Sequence, residues 1–270
     1  MRQLRSPKLV QKRRQRLIIR TMFVVLAVFI IVGIPVSIAS IPSMRVSDVS
    51  VTGAVVVPQV DIQNFVKQKI SEKHLFLFPK SNVALFPEKE IENLITKNYP
   101  RVETVTITFP TFKSARIEIA ERKTFAIWCK SEDSQDCYSL DSHGYIFDHA
   151  PIVTPSVFFI YRGEVADNPV GQTYLANGLF EKMNTFLERV HKLGLAIESV
   201  SNIGDDQYEL FVKDGTKILF TLRDGNEKMI SNLSSIIENK TVTVQNDGTL
   251  DVSLVDLRHG NKVIIKKKGE

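Results

Sequence analysis

The sequence predicts an α+β protein: a single transmembrane helix, then a βααββ layer, then a mostly antiparallel β module carrying two helices. Three observations predict it. An uncharged, almost wholly apolar run fills residues 21–41. Between residues 45 and 122, helical apolar spacing and strict strand alternation follow one another. Beyond residue 123, short alternating segments and turn residues dominate, interrupted by two further amphipathic stretches.

The apolar run reads TMFVVLAVFIIVGIPVSIASI. At about 1.5 Å per residue it matches a hydrocarbon core of roughly 30 Å. Arg2, Arg5, Lys8, Lys12, Arg13, Arg14, Arg16 and Arg20 precede it without an acid among them, which keeps the N-terminus in the cytoplasm. The expected organisation is a basic tail over 1–20, a membrane helix over 21–41, and exported domains over 45–122 and 123–268. A cleaved secretory signal is the alternative, because Ser37 and Ala39 form a small-x-small site and Pro35 can end the apolar core. The lengths of the run and of its basic head favour an anchor. Either reading exports the rest. The net charge of +5, less the eight positive charges of the head, leaves −3 for that part. No basic stripe for nucleic acid is indicated.

After a short tether, Val49 and Val51 alternate with Ser50 and Thr52 as a half-buried strand that Gly53 ends. From Pro58, Ile62, Phe65, Val66 and Ile70 share one helix face. The segment HLFLFPKSNVALF is apolar but broken by Pro79 and Ser81-Asn82, so it is expected as a packed loop; its run from Leu75 to Phe78 is alternatively an exposed apolar patch. Pro87 and Glu88 suit a helix start, Ile91, Leu94 and Ile95 make its buried stripe, and Pro100 requires it to stop. In VETVTITF, Val105, Ile107 and Phe109 oppose Thr104, Thr106 and Thr108. Residues 110–112 turn the chain, and Ala115, Ile117 and Ile119 then alternate with Arg116 and Glu118.

The second module begins with short strands at residues 125–128, 137–140 and 145–147, the latter two joined through Ser142-His143-Gly144. A strand is expected over 157–161 and a loop from Asn168-Pro169 to Gly171. From Leu175 a helix places Leu179, Met183, Phe186, Leu187 and Val190 on one side and ends at Gly194. Tyr208, Leu210 and Val212, then Ile218, Phe220 and Leu222, flank Asp214-Gly215, which favours a type I′ hairpin. Asn226 is placed to cap a helix burying Ile230, Leu233, Ile236 and Ile237. Residues 250–256 alternate, His259-Gly260-Asn261 turns, and residues 262–266 form a terminal strand followed by further lysines.

Cys129 and Cys137 flank KSEDSQD, a polar hairpin loop. An exported chain permits a disulfide there, and closing so short a loop contributes about 2.5 kcal/mol in the chain-entropy model. Two free thiols are the alternative. Two cysteines cannot make a structural zinc site. No H-E-x-x-H, G-x-S-x-G, P-loop or G-x-G-x-x-G is present, so the common metalloprotease, hydrolase and nucleotide motifs are missing. Asp141, His143, Asp148 and His149 have the residue types of a metal site, but Asp141 to Gly144 reads more simply as a tight turn. Trp128 suits a core position better than a sugar platform. Asn232 and Asn239 open N-x-[ST] triplets, which act as glycan acceptors only where that machinery exists. No cofactor, metal or small-molecule substrate is expected.

Several residues carry a family resemblance in chain order. Val49-x-Val51-x-Gly53, Tyr99-Pro100-Arg101-Val102 and Ile117-Glu118-Ile119-x-Glu121-Arg122-Lys123 resemble a POTRA domain of the FtsQ/DivIB cell-division family. Thr124 stands where the family often has proline, and Ala126 fits. Cys137 to Asp141, with Gly144 to Phe147, resembles the family's next hairpin, and Val255-Asp256-Leu257-Arg258 its I-D-L-R strand. The resemblance implies a bitopic scaffold that supports septal peptidoglycan synthesis, located at the cell membrane of the division septum, without catalysis. It implies FtsB/DivIC-like and FtsL-like partners, bound through the C-terminal region. Carried over, the partner-binding positions are Arg258, His259, Lys262, Val263, Ile264, Ile265 and Lys266. The family often has an aromatic ring where His259 stands. A terminal strand is an edge that offers unpaired N–H and C=O groups; its lysines alternatively serve only to block aggregation. The rival functions are a POTRA-bearing chaperone or assembly factor and a cell-wall-acting enzyme.

Overall fold

A computed structural model describes residues 7–39, 41–74, 78–132, 136–150, 158–175, 178–222 and 226–269. The chain divides into two compact units, Met1–Glu121 and Arg122–Glu270.

The first unit begins with helix α1 (Pro7–Val28), a π-helical turn (Phe29–Gly33) and the short α2 (Ile34–Ala39). This corrects the expected membrane helix. Residues 21–39 of the apolar run are shared among these three elements, and most of α1 lies on the basic segment. Among the described residues no helix is long and apolar enough to cross a membrane. A sum of hydropathy over residues 21–41 does not register this segmentation.

Next come β1 (Asp48–Thr52), α3 (Gln59–Ser71), β2 (Lys73–His74), β3 (Phe78–Pro79), α4 (Glu88–Asn98), β4 (Val102–Thr111) and β5 (Ser114–Glu121). The main sheet has the order β1-β5-β4, with β1 parallel and β4 antiparallel to β5. Alternation fixes its buried face: Val49, Val51, Ala115 and Ile117 turn inward to meet Ile62 and Val66 of α3 and Ile91 and Ile95 of α4. The segment expected as a packed loop contains the β2–β3 pair. Residues 75–77, most of the alternative apolar patch, lie outside the described residues. The buried Lys80 ammonium is held by Glu90 at 2.9 Å and Glu72 at 3.3 Å.

The loop after β1 is fastened by one carboxylate. Glu121 accepts hydrogen bonds from the backbone N–H groups of Val55, Val56 and Val57 at 2.9, 2.9 and 2.8 Å. Burial pushes the Glu121 carboxyl up, but these amides and the Arg101 charge outweigh it and hold the group below its ordinary value. A depressed carboxylate stabilises the fold above its ordinary pKa and loses that contribution as pH falls through the lower folded value. Glu121→Gln is therefore expected to cost about 1 kcal/mol at neutral pH after solvent screening. The melting temperatures of the two chains should draw together in acid, as pH falls through the lowered Glu121 value, and thermal melts at neutral and acidic pH check it.

The second unit comprises β6 (Ala126–Cys129), β7 (Cys137–Leu140), β8 (Ile146–His149), β9 (Ile160–Arg162), α5 (Leu179–Lys192), β10 (Ile197–Gly204), β11 (Gln207–Val212), β12 (Lys217–Thr221), α6 (Asn226–Glu238), β13 (Val252–His259) and β14 (Lys262–Lys267). All its strands join one nine-stranded sheet, ordered β14-β13-β12-β11-β10-β9-β6-β7-β8. The sheet is large and mixed, with three parallel pairings beside its five antiparallel ones, a second correction. The pairs β12–β13, β9–β10 and β6–β9 are parallel. α6 lies between β12 and β13 in sequence and α5 between β9 and β10, and such crossovers return the chain in its original direction.

Phe186, Leu187 and Val190 of α5 and Met229 and Leu233 of α6 share one core with Tyr208, Leu210, Ile218, Phe220, Val255 and Leu257 of the sheet. Phe186 stacks on Phe220 with ring centroids 4.2 Å apart. Cys129 and Cys137 are paired neighbours on β6 and β7 and are joined as a disulfide. β10 has no counterpart among the sequence-based expectations. The type I′ expectation at Asp214-Gly215 also fails, because only Gly215 there has positive φ. Asp205 and Asp206, at φ 49° and 59°, make the two-residue connection of that kind between β10 and β11. Asn226 is the first residue of α6, and its amide donates to the Lys182 carbonyl of α5 at 2.7 Å.

Candidate functional site: the C-terminal sheet edge

β14 ends the nine-stranded sheet, so one of its sides has no described strand beside it. It pairs antiparallel with β13, setting Val255 against Ile265, Asp256 against Ile264 and His259 against Lys262. An antiparallel ladder turns alternate N–H and C=O groups away from the partner, and on an end strand these stay unpaired. Side chains alternate as well. Val263 and Ile265 pack against the core, whereas Lys262, Ile264 and Lys266 are exposed, Ile264 by 50%.

The approach to this edge is organised by Asp256, whose carboxylate is buried among hydrogen-bond donors. Its Oδ1 accepts from the Arg258 backbone N–H at 3.0 Å and from Arg258 Nε at 2.9 Å. Its Oδ2 accepts from Arg258 Nη2 at 2.6 Å and lies 3.3 Å from His259 Nε2. Arg258 Nη1 also donates to the Gln207 side chain on β11. Burial pushes the Asp256 carboxyl up, but the Arg258 hydrogen bonds and the charges of Arg258 and His259 bring it below its ordinary value. Arg258 is thus engaged within the sheet, while His259, Lys262, Ile264 and Lys266 face solvent. Sequence reasoning quoted Asp256 only as part of a motif and gave Gln207 no role. The carboxylate two residues before an arginine was the available signal.

At the other end of the sheet, Asp141 serves its turn. Oδ1 accepts from the backbone N–H groups of His143 and Tyr145 at 2.8 and 2.9 Å, and Oδ2 accepts from Arg122 at 2.5 Å. Arg122 also lies 4.3 Å above the Tyr145 ring. His149 packs its ring on Tyr138, with centroids 4.5 Å apart. Among the described residues no group of three or more His, Cys, Asp or Glu side chains is arranged to hold a metal ion. Trp128 is a core residue, 2% exposed. A cleft of about 580 Å³ beside α5 is lined by Phe125, Phe159, Tyr161, Leu187 and His191, and there the Tyr161 hydroxyl donates to Asn184.

No family model matches the chain, and no curated protein matches it.

Proposed function

We propose that the chain is a binding scaffold of the bacterial cell-division machinery, similar to the FtsQ/DivIB family, that captures an extended segment of a partner protein on β14. The observation that carries this reading is the open side of β14, an end strand whose inner side chains lock it to the core while its outer ones remain exposed. The partners are FtsB/DivIC-like and FtsL-like proteins, and their capture supports septal peptidoglycan synthesis. The Cys129–Cys137 disulfide suits an oxidising, extracytoplasmic compartment.

The full chain is expected to capture both partners in pull-down. Deleting residues 259–270 should abolish capture while β10–β12 keep their amide-exchange protection. Capture that persists in the truncated chain, with that protection intact, overturns the reading.

A further inference from the structure

We propose that β14 selects a partner strand with the pattern acid–apolar–apolar–apolar–acid over five successive residues. This inference rests on the edge reading above and specifies the chemistry of its partner. Lys262, Ile264 and Lys266 follow one another at a spacing of two, so they stand on one face of the strand. All three are exposed. Val263 and Ile265 occupy the other face and continue the apolar core to the end of the sheet.

A strand added beside β14 brings its side chains to about 4.5–5.5 Å from those directly opposite. Carboxylates then belong opposite Lys262 and Lys266. An apolar residue belongs opposite Ile264, and two more extend the core beside Val263 and Ile265. Neither lysine makes an ion pair among the described residues. The nearby Asp256 carboxylate is already taken by Arg258 and His259. Both lysine charges are therefore available to an incoming strand.

The same row argues against a second copy of this chain as occupant. Antiparallel self-pairing centred on Ile264 would set Lys262 against Lys266 twice, and like charges directly opposite are destabilising. The edge resists its own kind and favours a complementary strand.

The test uses the full chain and two labelled synthetic peptides, one centred on Glu-Val-Ile-Val-Glu and one on Lys-Val-Ile-Val-Lys, titrated by fluorescence anisotropy. The acidic peptide should bind about tenfold more tightly, given two attractive pairs in place of two repulsive ones. The double variant K262E/K266E should invert that order. N-methylation of alternate amides in the acidic peptide should abolish binding in one of its two alternations. Equal affinities, or a preference that the double variant leaves unchanged, overturn the charge pattern; N-methyl sensitivity in that case leaves the edge reading standing. Failure of both peptides to bind overturns both.

Discussion

Replacing Gly53 by alanine is expected to unfold the first unit. Gly53 sits at φ +86°, and a Cβ placed on it would lie 2.2 Å from the Ile119 carbonyl oxygen and 3.2 Å from its carbon. That oxygen belongs to the central strand β5, so it cannot swing aside as a flexible side chain would. The left-handed backbone costs a residue with a Cβ about 1–3 kcal/mol, and displacing a packed strand costs a similar amount again. Together they consume a large share of the roughly 5–15 kcal/mol that holds an ordinary domain folded. Amide exchange should show protection lost across β1, β4 and β5 and kept across β10–β13. Gly215→Ala is the control, because Gly215 has φ +83° with nothing within 4 Å of the added carbon, so only the backbone penalty of about 1–3 kcal/mol applies. Similar costs for the two variants would show that the Ile119 contact relaxes.

Gly53 also shows what is legible in this sequence. Alternation marks β4, β5, β11 and β12 because each has one face on a core, and the periodicity of α3 and α5 has the same cause. The glycine after Val49 and Val51 is readable as a break. Its need to pass the Ile119 carbonyl is not, because that atom lies far along the chain. Pairing direction is hidden for a similar reason. Alternation over residues 250–256 groups Leu254 with Val252, but a bulge between them turns Val255 and Leu257 to the core instead, and nothing local says that β12 is a parallel neighbour. Asp-Gly at residues 214–215 looked like the tighter turn, yet the two aspartates after Gly204 adopt the left-handed pair, a conformation Asp tolerates through its short polar side chain. The site follows the same rule. Terminal position, apolar alternation and lysines are local and were readable, whereas the Arg258–Gln207 contact joins residues separated by 51 positions.

Asp256→Ala is expected to be the most damaging change near the edge. Asp256 is 7% exposed at its side chain and Arg258 25%, so removing the carboxylate strands a guanidinium in a poorly hydrated place. Breaking a fully buried pair costs about 3–5 kcal/mol, and the partial exposure of Arg258 lowers the expectation to about 2–3 kcal/mol. The sign with pH follows from the depressed Asp256 carboxyl. Its contribution is complete above the ordinary value of 3.8 and is lost as pH falls through the lower folded value. Denaturant melts of the two chains should therefore differ fully at pH 7 and draw together in strong acid. The damage should also reach β14, because Arg258 and His259 lead directly into the turn that positions it. Faster amide exchange in β14 and weaker partner capture should accompany the loss of stability. If stability falls by less than about 0.5 kcal/mol and β14 stays protected, the Asp256–Arg258 pair is effectively solvated. The edge would then be held by the packing of Val263 and Ile265 alone, and Arg258 would be free to turn toward a partner.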